Sequence, residues 1–542
     1  MKRHLLILLL SILSTSATIA QTQYFFYVQL NNKQNSPYSL SQPEQYLSQR
    51  AINRRVAYGI ACDSTDLPVN PAYIAEIAAK GVKVHNRSKW LNGITVRMAD
   101  TSIVSQIRAL PFVKWAKYTG QMNSAALPAP RKAKFGSETY SYGTAATQIN
   151  QLNGSALHNA GYTGKGIHIA VLDAGFNNVN TNPGFDSLRL QGRLLGTKDF
   201  AEPNSNIYAL DAHGANVLSI MTGNLPGQYL GSAPHASYWL LRTEYAPSEY
   251  LMELDFWVSA IEFADSAGVD VVNSSLGYTT FDDASMNFKY ADMNGKTARA
   301  SIAAEMAAKK GIVVCNSAGN DGRSTNPWKY IGAPADANGI FAIGATTSSG
   351  TPSDFTSYGP SYDGRVKPEI SGMGSSTAII NTSGLTSTGN GTSYSSPLVC
   401  GMLACLLQYT KEKNPAMSLN AFRQVVIENS NLYNAPTTQL GYGITNFQQA
   451  MSTVTSFTQT KDSRTNIAVK YIPEHKLIRL NFSGEMYKNT ISVSDISGRN
   501  ILGIVTESSV CEIPVQNFRT GVYIIHIQNP HEQYNEKLLI QL

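Results

Sequence analysis

Three residues that together support nucleophilic catalysis stand far apart in this sequence, each where a local pattern changes. Ser393 lies in Gly389-Asn-Gly-Thr-Ser-Tyr-Ser-Ser-Pro397. Gly391 permits a tight turn, Thr392 or Ser393 opens a helix with Pro397 in its first turn, and the helix continues apolar through Leu407. A serine at a helix N-terminus has unpaired backbone N–H groups and a favourable dipole beside it, which suit a developing oxyanion. Its hydroxyl is a poor nucleophile until a base takes the proton. His213, in Asp211-Ala-His-Gly-Ala-Asn-Val-Leu218, begins another apolar helical pattern and is the candidate base. Asp173 ends the apolar run Ile169 to Leu172, the place for a carboxylate that fixes the second ring nitrogen. Singly, each has a plainer reading as a turn residue, a packed ring or a helix cap.

Groups of this kind need a scaffold, and residues 150–450 carry the pattern of one. Short apolar runs at Gly166 to Leu172, His235 to Arg242, Gly268 to Asn273, Gly311 to Cys315 and Ile340 to Gly344 read as buried strands. Helical stretches such as Ser248 to Ser266 and Thr297 to Lys310 lie between several of them. The alternation predicts an α/β fold, a doubly wound domain with a parallel sheet and its active groups at the carboxyl ends of strands. The front piece reads as small α+β. It has strands at Tyr24 to Leu30, Val82 to Leu91, Gly93 to Met98 and Phe112 to Tyr118, and helices at Pro43 to Arg55, Pro71 to Lys80 and Thr101 to Leu110. Residues 121–146, rich in Ala, Pro, Ser, Gly and Lys, read as an exposed linker. Six short β runs between Ile467 and Leu542, separated by turn residues, predict an antiparallel β-sandwich.

The chain has 542 residues, 43% hydrophobic and 15% charged, which is ordinary globular composition and room for two to four domains. Lys plus Arg exceed Asp plus Glu by 43 − 37 = 6, too few for a charge-driven nucleic-acid binder. The charge is uneven: residues 21–150 hold 15 − 6 = +9, residues 151–454 hold 17 − 23 = −6, and the last 88 hold 9 − 8 = +1. Opposite signs can steer the first two pieces together. Five cysteines without CxxC spacing signal neither a zinc site nor a disulfide framework. Glu249, Glu253 and Glu262 share a helical segment and read as a solvated face rather than a metal site. At the N-terminus, Lys2, Arg3 and His4 precede the apolar run Leu5 to Leu13 and a small-residue stretch ending at Ala20, the order of a secretory signal peptide.

Residues 150–450 resemble the subtilisin-like serine peptidases, the S8 family, and the chain order Asp, His, Ser agrees. Ala170-Val-Leu-Asp-Ala-Gly175, His213-Gly214 and Gly391-Thr-Ser-Tyr-Ser-Ser-Pro397 resemble the family's three catalytic motifs. Ser275-Leu276-Gly277 is similar to the segment that lines the primary specificity pocket and pairs with substrate backbone. Ser317-Ala-Gly-Asn320 resembles the oxyanion-hole motif. Gly231 to Ala236 and Lys367 to Ile370 look like scaffold elements. The resemblance implies a serine endopeptidase with a triad of Asp173, His213 and Ser393, an oxyanion donor at Asn320 and an acyl-enzyme intermediate. Protein or peptide substrates follow; no cofactor is required for the chemistry, and structural calcium is allowed. Four positions depart from the common pattern: Ala174, Asn216, Tyr394 and Leu398. The competing class is a surface-binding protein with a catalytically silent peptidase domain.

The front piece resembles the family's inhibitory propeptide, the alternative being an accessory domain. The tail, with Val493 to Arg499, Phe518 to Ile524 and Lys537 to Ile540, resembles sorting domains read by the type IX secretion machinery, the alternative being a generic binding sandwich. The expected division is a signal peptide over 1–20, a propeptide over 21–120, a linker over 121–146, a peptidase domain over 147–455 and a sorting domain over 465–542. The propeptide is expected to cover the substrate groove until the linker is cut, with the Arg131-Lys132 region as an exposed site. Phe112, Val113 and Trp115 are its expected apolar contacts, and added salt should weaken the charged ones. The expected compartment is the exterior or surface of a Gram-negative bacterium, reached through the periplasm.

Overall fold

The computed structural model describes residues 22–122, 141–456 and, in the tail, 467–540 apart from 474–475, 483–487, 496–497 and 530–532. The expected signal peptide and most of the expected linker, Arg131 and Lys132 included, lie outside the described residues.

The front piece is a four-stranded antiparallel sheet of β1 (Gln23–Leu30), β2 (Lys83–Ser88), β3 (Gly93–Met98) and β4 (Val113–Met122), in the order β2-β3-β1-β4. Strand alternation divides its side chains between two cores. Phe26, Val28, Ile94 and Val96 pack with Ile107 and Phe112 inside the piece. Phe25 faces the other way and joins Trp90 and Met122 in a cluster shared with the large α/β part. Of the expected helices, those after Pro71 and Thr101 are α2 (Pro71–Ala78) and α3 (Val104–Arg108), while that from Pro43 to Arg55 is instead one 3-10 turn at Pro43–Gln45 and then α1 (Gln49–Tyr58). Ser48 starts that helix by accepting a hydrogen bond from the Ala51 N–H.

The α/β part is built on seven parallel strands: β5 (His168–Asp173), β6 (Leu194–Asp199), β7 (Ser237–Arg242), β8 (Val271–Ser274), β9 (Val313–Ser317), β10 (Phe341–Thr346) and β11 (Ile370–Met373). Their order is β11-β10-β9-β8-β5-β7-β6. The central strands are buried on both faces, so they read as continuous apolar runs. Val171, Leu240 and Ile343 join the cluster that holds α4 (His213–Thr222), while Ala170, Leu172 and Val272 join the one that holds α5 (Met252–Ala267) and α6 (Arg299–Lys309). The helix α7 (Thr392–Lys413) joins the first cluster and brings residue 393 to the carboxyl edge of the sheet.

Helix α5 is covered by the sheet on one side and the front piece on the other. That corrects the reading of Glu253 and Glu262 as a solvated face: they are 1% and 5% exposed, and Glu249 precedes the helix. Glu262 accepts hydrogen bonds from Ser88 Oγ and from the N–H groups of Lys89 and Trp90. Arg54, Arg55 and Lys89 converge on Asp265, and Arg55 and Lys310 share Asp66; all six side chains are buried. The contact is therefore a buried ion network framed by Phe25, Trp90 and Met122. Phe112 and Val113 belong to the front piece's own core, and the Trp115 ring lies 5.7 Å from Tyr27.

The tail is a second compact unit, dividing from the first after Phe457. Three antiparallel strands (Ile467–Ile472, Leu477–Phe482, Val510–Pro514) form one sheet and four (Asn489–Asp495, Asn500–Thr506, Gly521–Gln528, Gln533–Ile540) another. Ile478, Leu480 and Ile513 from the first and Ile491, Val493 and Ile525 from the second bury one core.

Candidate active site

Asp173 closes β5 with its side chain fully buried, and His213 is the first residue of α4, reached over a loop held to the strand end. The two meet because nothing stands between them. A Cβ on Gly214 would lie 2.3 Å from the Gly175 carbonyl and 2.8 Å from the Asp173 Cβ, so only glycine lets the helix start so close to the strand. His213 Nδ1 is 2.8 Å from Asp173 Oδ1, which also accepts the Ala174 N–H; Asp173 Oδ2 is buried without a donor. Asp211 Oδ1 accepts the His213 N–H. Burial opposes a charged His213 ring, but Asp173, joined by Asp211 and Glu244, holds its pKa up to about 9. The ring remains 32% exposed, open to a substrate.

Ser393 is the second residue of α7, after Gly391, whose φ of +150° accompanies the sharp entry to the helix. Its hydroxyl donates to the Ser275 carbonyl at 3.4 Å, and no hydrogen bond joins it to His213 in this conformer. Asn320 lies just past β9. Its Oδ1 accepts both the N–H and the hydroxyl of Thr392, at 2.9 and 3.0 Å. With Oδ1 so engaged, the Nδ2 donor is turned away from Thr392 and left for another acceptor. Gly319, at φ +109°, donates its own N–H to Thr392 Oγ1.

Ser275, Leu276 and Gly277 follow β8 directly, and the Ser275 hydroxyl reaches the Ser393 carbonyl at 2.9 Å. The Leu276 carbonyl is tied down by Asn316 Nδ2 and Ser317 Oγ. A Cβ at Gly277 would stand in open space, as expected of a strand edge left free to pair. The departures are local. Leu398 is core, and Ala174 serves Asp173 through its backbone. The Tyr394 ring sits 6.2 Å from that of His213.

Sequence reasoning singled out Asp173, His213, Ser393, Asn320 and Ser275 to Gly277, and the structure brings them to one edge of the sheet. It missed Thr392, although that residue adjoins Ser393 in the same motif. Glu244 also escaped it, despite the same signal as Asp173: an acid just past a buried strand. Glu244 accepts the Tyr278 hydroxyl at 2.5 Å, and burial first, with Asp173's charge added, pushes it up to about 7. Glu244, Glu249 and Glu253 gather ligand atoms within 4.8 Å of one another. Both Glu253 oxygens already accept backbone N–H groups, from Tyr245 and Tyr250. With both Glu253 oxygens engaged, four carboxylate oxygens remain, fewer than the roughly six to eight that calcium takes.

Residues 164–443 match the profile of the Subtilase family. Residues 25–134 match that of the Peptidase S8 propeptide domain, Bacteroidota, and residues 472–541 that of the Secretion system C-terminal sorting domain. Subtilisin NAT of Bacillus subtilis subsp. natto is 28% identical over 376 residues, covering 69% of this chain and 84% of that protein. Subtilisin of Bacillus pumilus is 28% identical over 304 residues, covering 56% and 97%. Among solved structures, MycP1 with its N-terminal propeptide removed is similar at a TM-score of 0.44 and 20% identity, over 56% of this chain and 96% of that one.

Proposed function

The chain belongs to the subtilase family and is a secreted serine endopeptidase, and we propose that Asp173, His213 and Ser393 are its catalytic triad. The observation that carries the assignment is the 2.8 Å contact of Asp173 with His213 Nδ1, which leaves Nε2 as the working nitrogen. A substrate strand pairs along Ser275 to Gly277 and places its scissile carbonyl beside Ser393. The Ser393 hydroxyl leaves the Ser275 carbonyl and turns to His213, which takes its proton as Oγ attacks the carbonyl carbon. The tetrahedral oxygen becomes anionic, and Asn320 Nδ2 and the N–H groups that open α7 receive it. His213, now charged beside Asp173, returns the proton to the leaving amine, and water repeats the sequence on the acyl-enzyme.

No cofactor takes part in these steps. The propeptide match and the buried contact on α5 support an inhibitory role for the front piece, and the sorting-domain match implies secretion or surface display in Bacteroidota. Among the described residues, no helix is long and apolar enough to cross a membrane. Export through the periplasm by a signal peptide over 1–20, and the division into 21–120, 121–146, 147–455 and 465–542, complete the reading. The test is a peptide or casein assay on processed protein with a fluorophosphonate. Hydrolysis and covalent label are expected on the wild type and neither on Ser393→Ala. An unlabelled, inactive wild type would mean a silent domain that only binds.

A further inference from the structure

Pro397 stands inside α7, four residues after Ser393. Proline has no N–H, so the Ser393 carbonyl lacks the helical donor it would otherwise have. Ser275 takes that place: its hydroxyl donates to the Ser393 carbonyl at 2.9 Å. The Ser275 proton has little choice of direction, because its oxygen accepts Asn273 Nδ2 at 3.1 Å. Asn273 is fixed in turn, its Oδ1 accepting the Ser396 hydroxyl at 2.9 Å. Ser396 lies three residues after Ser393 on the same helix, so the three bonds run in one direction and close a ring. Asn273 and Ser396 are fully buried and Ser275 is 5% exposed, so water does not compete for any of the three.

From this ring we infer that Asn273 is a positioning residue, acting through Ser275 and Ser396 to set the nucleophile against the strand that carries the substrate. The inference rests on Ser393 as nucleophile and on Ser275 to Gly277 as the substrate edge. Asn273 belongs to β8, whose extension is that edge, and the ring is the polar link from it to the first turn of α7. Attack requires the reacting atoms about 3–3.5 Å apart, and a displacement near 1 Å costs about 10²-fold. An aliphatic side chain at 273 leaves the Ser275 hydroxyl free to rotate and the helix start free to shift. Substrate binding, made by backbone and pocket, is untouched.

The experiment compares Asn273→Ala, Ser275→Ala and the double variant, each matured from the full chain, with kcat expressed per site titrated to completion with a fluorophosphonate. Misfolded molecules thereby drop out of the comparison, and Ser275→Ala, which removes one hydroxyl, serves should Asn273→Ala fail to mature. The expected result is a kcat about 10–10²-fold lower in each single variant, with KM nearly unchanged. The double variant should fall little further, because both substitutions break the same ring. Unchanged kcat in Ser275→Ala, a loss confined to KM, or losses that multiply in the double variant would each overturn the inference. A wild type that neither hydrolyses nor labels would overturn the underlying assignment as well, so the two failures are told apart.

Discussion

At the scale of single residues, the pKa of His213 decides when the enzyme works. A base must be neutral to accept a proton, and His213 stays charged up to about pH 9 because burial is outweighed by Asp173, Asp211 and Glu244. The proton leaves as pH rises, so kcat/KM should climb through neutrality, reach its midpoint near pH 9 and level off above it. A pH–rate profile reads this inflection directly, and a plateau reached by pH 7 would contradict it. Asn320→Ala should lower kcat by about 10²–10³-fold with folding intact, the usual cost of one oxyanion donor. Thr392→Ala should cost less, since it removes the hydroxyl bond to Asn320 Oδ1 and the acceptor of the Gly319 N–H while the backbone bond to Asn320 remains; steady-state kinetics of the two variants rank them. Asp173, His213 and Ser393 were legible because each sits at a pattern boundary that sequence records. Asn273 and Ser396 were not, since their role exists only once β8 and α7 lie side by side.

At the scale of elements, the central strands were legible for a physical reason: burial on both faces demands unbroken apolar runs. The edge strands β6 and β11 escaped because Gly196-Thr-Lys198 and Ser371-Gly372 interrupt any such run. Helix α5 misled in the other direction. Its acids suggest a wet face, yet Glu262 and Asp265 are buried under the front piece, where Ser88, Lys89, Arg54 and Arg55 satisfy them. A second folded piece lying on a helix leaves no trace in that helix's periodicity. Removing one partner of a buried ion pair strands the other, typically at about 3–5 kcal/mol. Arg54→Ala leaves Asp265 with Arg55 and Lys89, so it should cost less than that and weaken inhibition of the mature enzyme by separately added residues 21–120 by about one to two powers of ten. An inhibition constant within tenfold of the parent would show that the network adds nothing to docking.

At the scale of the whole molecule, the tail has its own core, and the chain separates into two compact units. Deleting residues 465–542 should leave kcat on peptide substrates unchanged while abolishing delivery in the native host. Fractionation of cells and medium measures the second effect, and normal delivery would remove the sorting role. The front piece is different, because its hold on the enzyme depends on pH from two sides. Glu262, raised to about 7 first by burial, finds its hydrogen-bond donors in the front piece and should regain an ordinary carboxyl pKa once that piece leaves. A group raised in the complex favours docking below its free pKa and loses that contribution as pH climbs through about 7. His85 acts oppositely. It packs between Phe25 and Phe256 with Nε2 3.0 Å from the Phe200 carbonyl, and burial, aided by Arg97 and Lys83, pushes it down to about 4. Its contribution is complete while the free ring is neutral and is lost as pH falls from about 6.5 towards 4. The two windows overlap between about pH 4 and 7 with opposite signs, so inhibition by residues 21–120 should change little across that range and stay level above it. Glu262→Gln should leave only the His85 loss, so that inhibition weakens as pH falls below about 6.5, and His85→Gln should leave only the Glu262 loss, so that inhibition weakens as pH rises towards about 7. Salt should slow association but leave dissociation nearly unchanged, because the paired charges are shielded from mobile ions. His213 loses its proton only above the range in which Glu262 and His85 titrate, so raising the pH from 7 to 9 should arm the base without loosening the inhibitor. Inhibition that weakens by more than about tenfold from pH 7 to 9 would refute this separation of the two titrations.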